Sequence, residues 1–280
     1  MLITIHGTNS GWWPLKERHY TAWTLKTAHG LYWFDAGDNA GFSACERNLP
    51  ILNTKAIFLS HPHYDHVGGL PQILWLIFRV KCLRGYEPEC NEMKPLFSDT
   101  PLKGDFKDPD SALPEIGVYT TRSETVPLIQ EFFKYTEADF DLGYPLATHG
   151  IKQGVIHDDT VVRVEARPTK HLGMTETGEP LSWAFRIQCE GKTIMYSGDF
   201  RYLSDLGDWL EGADLFLFEN AHVKAVDICG ELKRVNSRFG RLVFMHHTLE
   251  TLYGKDTVIQ EVHRIIPEAE FAQDGMEIEL

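Results

Sequence analysis

The chain has 280 residues, 43% of them hydrophobic and 24% charged, and its 27 basic and 40 acidic side chains leave a net charge of -13. That length allows one large α/β domain or two ordinary ones, and a single domain over 1–280 is expected. The acidic balance excludes a general field for polyanions, so indiscriminate binding to nucleic acid or membrane is not expected, while a local basic groove stays open.

Leu2 to Ile5 alternates like a strand, and Gly7 to Gly11 supplies turn residues before Trp12 and Trp13, which either serve a dimer contact or pack locally. Tyr20 to Thr27 and Leu31 to Phe34 read as a hairpin. The second strand ends in Asp35-Ala36-Gly37, with Asp38 or Asn39 as a helix cap or turn residue before a short helix over 40–48. Lys55 to Ser60 is a short buried strand, and Leu70 to Val80 a helix with Leu70, Ile73, Leu74, Ile77 and Phe78 at helical spacing. From Lys81 to Pro114 five prolines and mixed charges predict an irregular excursion, either a lid or a partner surface.

Ile116 to Tyr119 resumes as a strand and Thr125 to Tyr135 as a helix with Pro127 in its first turn. Strands follow at Ile151 to Ile156, Thr160 to Ala166, Trp183 to Cys189 and Lys192 to Tyr196, the last two joined by Glu190-Gly191. Helices then alternate with strands: helix Ser204 to Glu211, strand Asp214 to Phe218, helix Val223 to Arg238, strand Arg241 to Met245 and helix Thr257 to Ile265. The five cysteines, Cys45, Cys82, Cys90, Cys189 and Cys229, form no CxxC pair and argue against a disulfide framework. They are expected to be reduced thiols in a cytoplasmic protein. Residues 1–5 are too short and too alternating for a signal peptide, and the longest apolar run, Ile73 to Phe78, is far short of a membrane span.

The chemistry gathers in Ser60-His61-Pro62-His63-Tyr64-Asp65-His66-Val67-Gly68-Gly69. His61 and His63, two apart at the end of a strand, point the same way and can face one ion. Asp65 and His66 follow on the turn into a helix near Gly68 and suit a second ion beside the first. A single His of this kind is usually a surface or core residue; four metal-competent side chains within six positions make that reading poor. Further candidates stand at later strand ends: His171 after Pro168-Thr169-Lys170, Asp199 after Ser197-Gly198, and His246, with His247 competing for its role.

This set resembles the metallo-β-lactamase superfamily, whose HxHxDH motif stands as His61, His63, Asp65 and His66, with His171, Asp199 and His246 matching its later motifs in order. Ile5 to Gly11, Asp35-Ala36-Gly37 and Ser197-Gly198-Asp199 resemble its ribonuclease Z and phosphodiesterase branch. The resemblance implies a four-layer αββα sandwich, two divalent metal ions, zinc first with manganese or iron as rivals, and a bridging Asp199. It also implies that Asp35 steadies the histidine loop. A water activated between two cations would attack a phosphodiester, with Asp65 and His222 as catalytic groups and His222 assisting the leaving group. The substrate would be a small-molecule or nucleotide phosphodiester, or RNA, with no membrane partner and a homodimer left open.

Two departures stand out. Where ribonuclease Z carries an HEAT sequence this chain has Phe218-Glu219-Asn220-Ala221, with His222 next, and Glu219 reads as structural because it follows a buried strand. The Lys81 to Pro114 stretch has five basic and seven acidic residues, unlike a glycine-rich basic tRNA-gripping arm. A lactone, ester or thioester hydrolase on the same site is the first alternative, and a metal-loaded sensor without turnover the second.

Overall fold

The computed structural model describes residues 1–12, 15–82, 113–136 and 141–280. The first sheet is built from β1 (Leu2–Gly7), β2 (Ala22–Lys26), β3 (Leu31–Phe34), β4 (Thr54–Phe58), β5 (Ile116–Thr120) and β6 (Leu146–Gly150). The second takes β7 (Gly154–Asp158), β8 (Val162–Pro168), β9 (Trp183–Cys189), β10 (Lys192–Tyr196), β11 (Leu215–Glu219), β12 (Arg241–Met245) and β13 (Glu270–Phe271). A last strand, β14 (Glu277–Glu279), returns to pair with β1, so each sheet has seven strands, in the orders β14-β1-β2-β3-β4-β5-β6 and β13-β12-β11-β10-β9-β8-β7.

One apolar cluster lies between the sheets, with Trp23, Phe34, Phe58, Phe185 and Tyr196 fully or almost fully buried in it. Outside the first sheet pack α1 (Ala40–Glu46), α3 (Leu70–Cys82) and α4 (Thr125–Thr136). The second sheet is covered by α5 (Ala225–Arg234) and α7 (Lys255–Ile265), with α6 (Leu249–Tyr253) leading into α7. Helices, sheet, sheet, helices is the αββα sandwich expected. It also explains why β4, β11 and β12 read as continuous apolar runs: parallel strands covered on both faces have no solvent side to make polar.

Several boundaries differ from the expectation. The 204–211 helix is two short 3-10 turns, Leu203–Asp205 and Gly207–Leu210, broken where Gly207 takes φ 54°. The helix drawn over 223–238 runs only over Ala225–Arg234, and Asn236 at φ 53° ends the stretch beyond it. The chain turns helical at α2 (Tyr64–Val67), before Gly68. Asn39 sits at the N-cap of α1 with φ 61° and no side-chain cap bond, while Asp38 instead accepts from the Tyr20 amide at 2.6 Å. Residues 83–112 of the excursion, Cys90 and Trp13 lie outside the described residues.

Candidate metal centre

Each predicted ligand sits beyond the carboxyl end of a strand. His61 and His63 follow β4, and α2 carries Asp65 and His66; His171 follows β8, Asp199 follows β10 and His246 follows β12. Backbone left-handedness occurs at these exits, at Asp35 (φ 56°), Gly198 (φ 50°) and His246 (φ 54°). For Gly198 the need is visible: a Cβ there would fall 2.3 Å from the Trp183 carbonyl oxygen.

The seven side chains fall into two sets. His61, His63, His171 and Asp199 offer ligand atoms all within 4.8 Å of one another, and so do Asp65, His66 and His246. In the first set His63 Nδ1 lies 3.1 Å from His61 Nε2 and 3.2 Å from His171 Nε2. In the second, His246 Nε2 is 3.2 Å from both His66 Nε2 and Asp65 Oδ2. Asp199 faces both: Oδ2 stands 3.5 Å from His61 Nε2, and Oδ1 stands 3.5 Å from His66 Nε2. His247 points away, with Nε2 2.9 Å from the Ala272 carbonyl oxygen and Nδ1 3.1 Å from the Asn220 amide. Of the two neighbours, His246 is the one inside the cluster.

The donor set fits cations. Burial first, then the neighbouring imidazoles, holds His61 well below its ordinary pKa, and burial pushes His171 down to about 4. Three neutral imidazole nitrogens therefore converge, and a cation among them turns lone-pair repulsion into coordination. In the second set burial opposes protonation, but Asp199 with Asp65 and Glu219 raises His246 to about 9, and Asp199 and Asp35 raise His66. Protons there occupy the place a metal takes when it binds. Asp199 Oδ1 and His246 Nδ1 are buried without a hydrogen bond among the described residues, as ligand atoms awaiting a partner would be.

The far nitrogens are fixed from behind. His61 Nδ1 is 3.0 Å from Ser60 Oγ, and His66 Nδ1 is 2.8 Å from Asp35 Oδ2. Asp35, fully buried, also accepts from the Ser60 amide at 2.7 Å, Ser60 Oγ at 2.9 Å and the Tyr196 hydroxyl at 2.6 Å. This is the steadying role expected of it, with Tyr196 reaching across from the second sheet. The loops carrying His171 and Asp199 are tied together by Asp205 Oδ2, which accepts from the amides of Lys170 at 3.0 Å, Tyr202 at 3.2 Å and Arg201 at 3.4 Å.

The profile of the metallo-beta-lactamase superfamily matches residues 22–75, which contain the first four ligand candidates. Ribonuclease Z of Treponema pallidum (strain Nichols) is 40% identical over 67 residues, covering 24% of this chain and 22% of that protein. Ribonuclease Z of Ignicoccus hospitalis is 24% identical over 269 residues, with 86% of this chain and 85% of that protein covered. Human short-form tRNase Z superposes with a TM-score of 0.67 at 18% identity over 100% of this chain and 99% of its own. Zinc-bound PqqB from Methylobacterium extorquens gives 0.60 at 15% identity over the whole of both chains. The chain thus spans about a fifth of the length of the Treponema relatives in the matched region. Over residues 22–75 the chain is similar to the metallo-β-lactamase superfamily, and its fold is that superfamily's sandwich.

Within that superfamily fold, the residue that sequence reasoning passed over is Glu219. Far from a strand-end support alone, its carboxylate accepts from the amides of Ala221 at 2.6 Å and His222 at 2.9 Å, and its Oε1 lies 3.3 Å from His222 Nδ1. Burial would raise Glu219, but His222 and His246 outweigh it and bring it down to about 2. Its carboxylate in turn keeps His222 above the ordinary histidine value against the cost of burial. His222 Nδ1 also lies 3.6 Å from Asp199 Oδ2, and the imidazole lines an open cleft of about 440 Å³ with Gly11, Trp12, His63, Asp65, Asp199 and His246. Asp199, His222 and His246 themselves form a third set of convergent ligand atoms. The buried run Leu215 to Phe218 before Glu219 was the available signal: a carboxylate ending a strand covered on both faces must be paired.

Proposed function

We propose that this chain is a metal-dependent hydrolase of phosphodiester bonds, built as one metallo-β-lactamase-like domain. His61, His63 and His171 would hold one divalent cation, Asp65, His66 and His246 a second, and Asp199 would be shared. The observation that carries this reading is the division of Asp199 between the two sets, one oxygen towards each. The imidazole-rich, carboxylate-bridged donors suit zinc, with manganese and iron as the rival metals. Bound there, such cations supply an activated water as nucleophile and neutralise charge on the phosphoryl oxygens.

The remaining work falls to the protein. Asp35 and Ser60 hold His66 and His61 in a single orientation, so the ligand atoms converge before any ion arrives. Glu219 anchors His222 through its backbone amide and its Nδ1 edge, leaving Nε2 to carry a proton to the departing oxygen. Asp65, gripped by His66 and His246, stays ionised at the wall of the cleft. Cytoplasmic residence accords with Cys45, Cys82, Cys189 and Cys229 all standing as free thiols. No helix among the described residues is long and apolar enough to cross a membrane.

The deciding measurement is hydrolysis of bis-p-nitrophenyl phosphate by protein reconstituted with zinc or manganese, beside Asp199→Ala as control. Turnover that disappears in the control is expected. Rates equal to the control, together with hydrolysis of a lactone or thioester panel, would move the protein to carbonyl chemistry.

A further inference from the structure

The cleft wall is polar except at one place. Of its seven lining residues, five are ionisable and one is glycine; the other is Trp12, whose side chain is 76% exposed. An indole left in water on the wall of a charged cleft contributes little to folding, because most of its surface gains nothing from burial. It stacks on no other ring among the described residues.

The backbone that leads to it is held nonetheless. The turn after β1 is pinned by hydrogen bonds from the Asn9 amide to the His19 carbonyl at 2.8 Å and from the Ser10 amide to the His247 carbonyl at 3.4 Å. Gly11 then lies so close to Asp65 that a Cβ would fall 2.8 Å from the carboxylate carbon. A side chain at position 11 would press on the Asp65 carboxylate, and the next residue lines the cleft beside the Asp65, His66 and His246 set. A second exposed ring, Tyr64, precedes Asp65 in the chain; it is 70% exposed and meets Tyr20 edge-on at 6.4 Å.

Among the described residues no lysine or arginine lines the cleft, and the chain as a whole carries -13. That wall thus offers neither side chain to grip the organic part of a phosphodiester substrate. A flat indole face offers the other source of grip, stacking on a planar π-system. We propose that Trp12 is a specificity-determining residue that stacks on the nucleobase of a nucleotide phosphodiester, seating the base on the Asp65 side of the centre. This rests on the phosphodiesterase reading and selects, within it, esters that carry a nucleoside over esters that do not.

Thymidine 5′-p-nitrophenyl phosphate and methyl p-nitrophenyl phosphate present the same bond and the same leaving group and differ by the nucleoside. Trp12→Ala should lower kcat/KM for the thymidine ester on the order of 10-fold through KM, change the methyl ester less than about 2-fold, and leave the loss unchanged by added salt. Trp12→Phe should restore most of it. Calorimetric titration with thymidine 5′-monophosphate, compared with methyl phosphate, should show the same dependence on Trp12 in the metal-loaded protein. Equal loss on both esters, equal binding of both phosphates, or a change in oligomeric state with no change in ester preference overturns the assignment. If the wild-type protein cleaves neither ester, the phosphodiesterase reading falls, whereas the binding comparison still decides whether Trp12 recognises a base.

Discussion

His222 and Glu219 divide a task that neither performs alone. A carboxylate held below its usual range by two imidazoles cannot donate a proton at neutral pH, but it can keep its neighbour charged. If His222 delivers that proton, its value depends on how badly the leaving group needs it. His222→Gln should reduce kcat on the order of 100-fold for a diester with an alkyl leaving group and less than about 10-fold for one releasing p-nitrophenolate. Equal losses for both would assign the imidazole to ligation, which its place among Asp199 and His246 also permits. The contrast with Asp65 is one of sequence visibility. Asp65 declares itself within HxHxDH, whereas Glu219 looks like the last residue of a strand until its three-residue reach to His222 is seen in space. Asp205 is hidden in the same way, because besides the nearby Tyr202 amide it binds the Lys170 amide 35 residues back in the chain.

Among elements, the α2–α3 unit depends on close contact with its neighbours. The Gly69 amide donates to the Ala36 carbonyl at 2.7 Å, and a Cβ on Gly69 would fall 2.0 Å from the Gly37 carbonyl oxygen. Gly69→Ala must therefore push the unit away from the end of β3. The expected result is at least a tenfold weaker hold on metal, read by competition with a chromophoric chelator, along with a lower melting temperature. Elements with strong apolar patterning were legible from sequence: β4, β9, β10, β11, β12 and α3 all stand within a few residues of their predicted spans. The failures have local causes. Leu206, Trp209 and Leu210 are buried at a spacing that imitates a helical face, and the left-handed Gly207 divides it. β6 was missed because its residues are half-buried or exposed, leaving no apolar run, and β13 and β14 are too short to show a period.

At the scale of the molecule, ion binding and folding should be linked. Ligand atoms from distant parts of the chain meet only in the native state, so removing metal withdraws a stabilisation of about 2.7 kcal/mol for an ion present at a hundred times its dissociation constant. A chelator should lower the melting temperature by roughly 5–10 °C. Acid acts through a different residue. Burial, with Arg47 adding to it, pushes His6 down to about 3, while the unfolded chain protonates near 6.5. The unfolded state therefore takes up the proton first: the contribution of neutral His6 is complete above about pH 6.5 and declines as pH falls towards 3. Between pH 7 and 5 the wild type should lose about 2 kcal/mol more than His6→Gln in denaturant titrations, and parallel curves would refute that assignment. The hydroxyl of Tyr196 adds one more consequence. It joins the second sheet to Asp35 in the first, and both ligand sets draw atoms from both sheets. During synthesis the N-terminal half emerges with three imidazoles and one carboxylate of the two sets and can complete neither, so an ion meeting them would find only loose, exchangeable contacts. If the two sets hold metal as proposed, capture would wait until the second half closes over the first, and loading would then act as a checkpoint on chain completion.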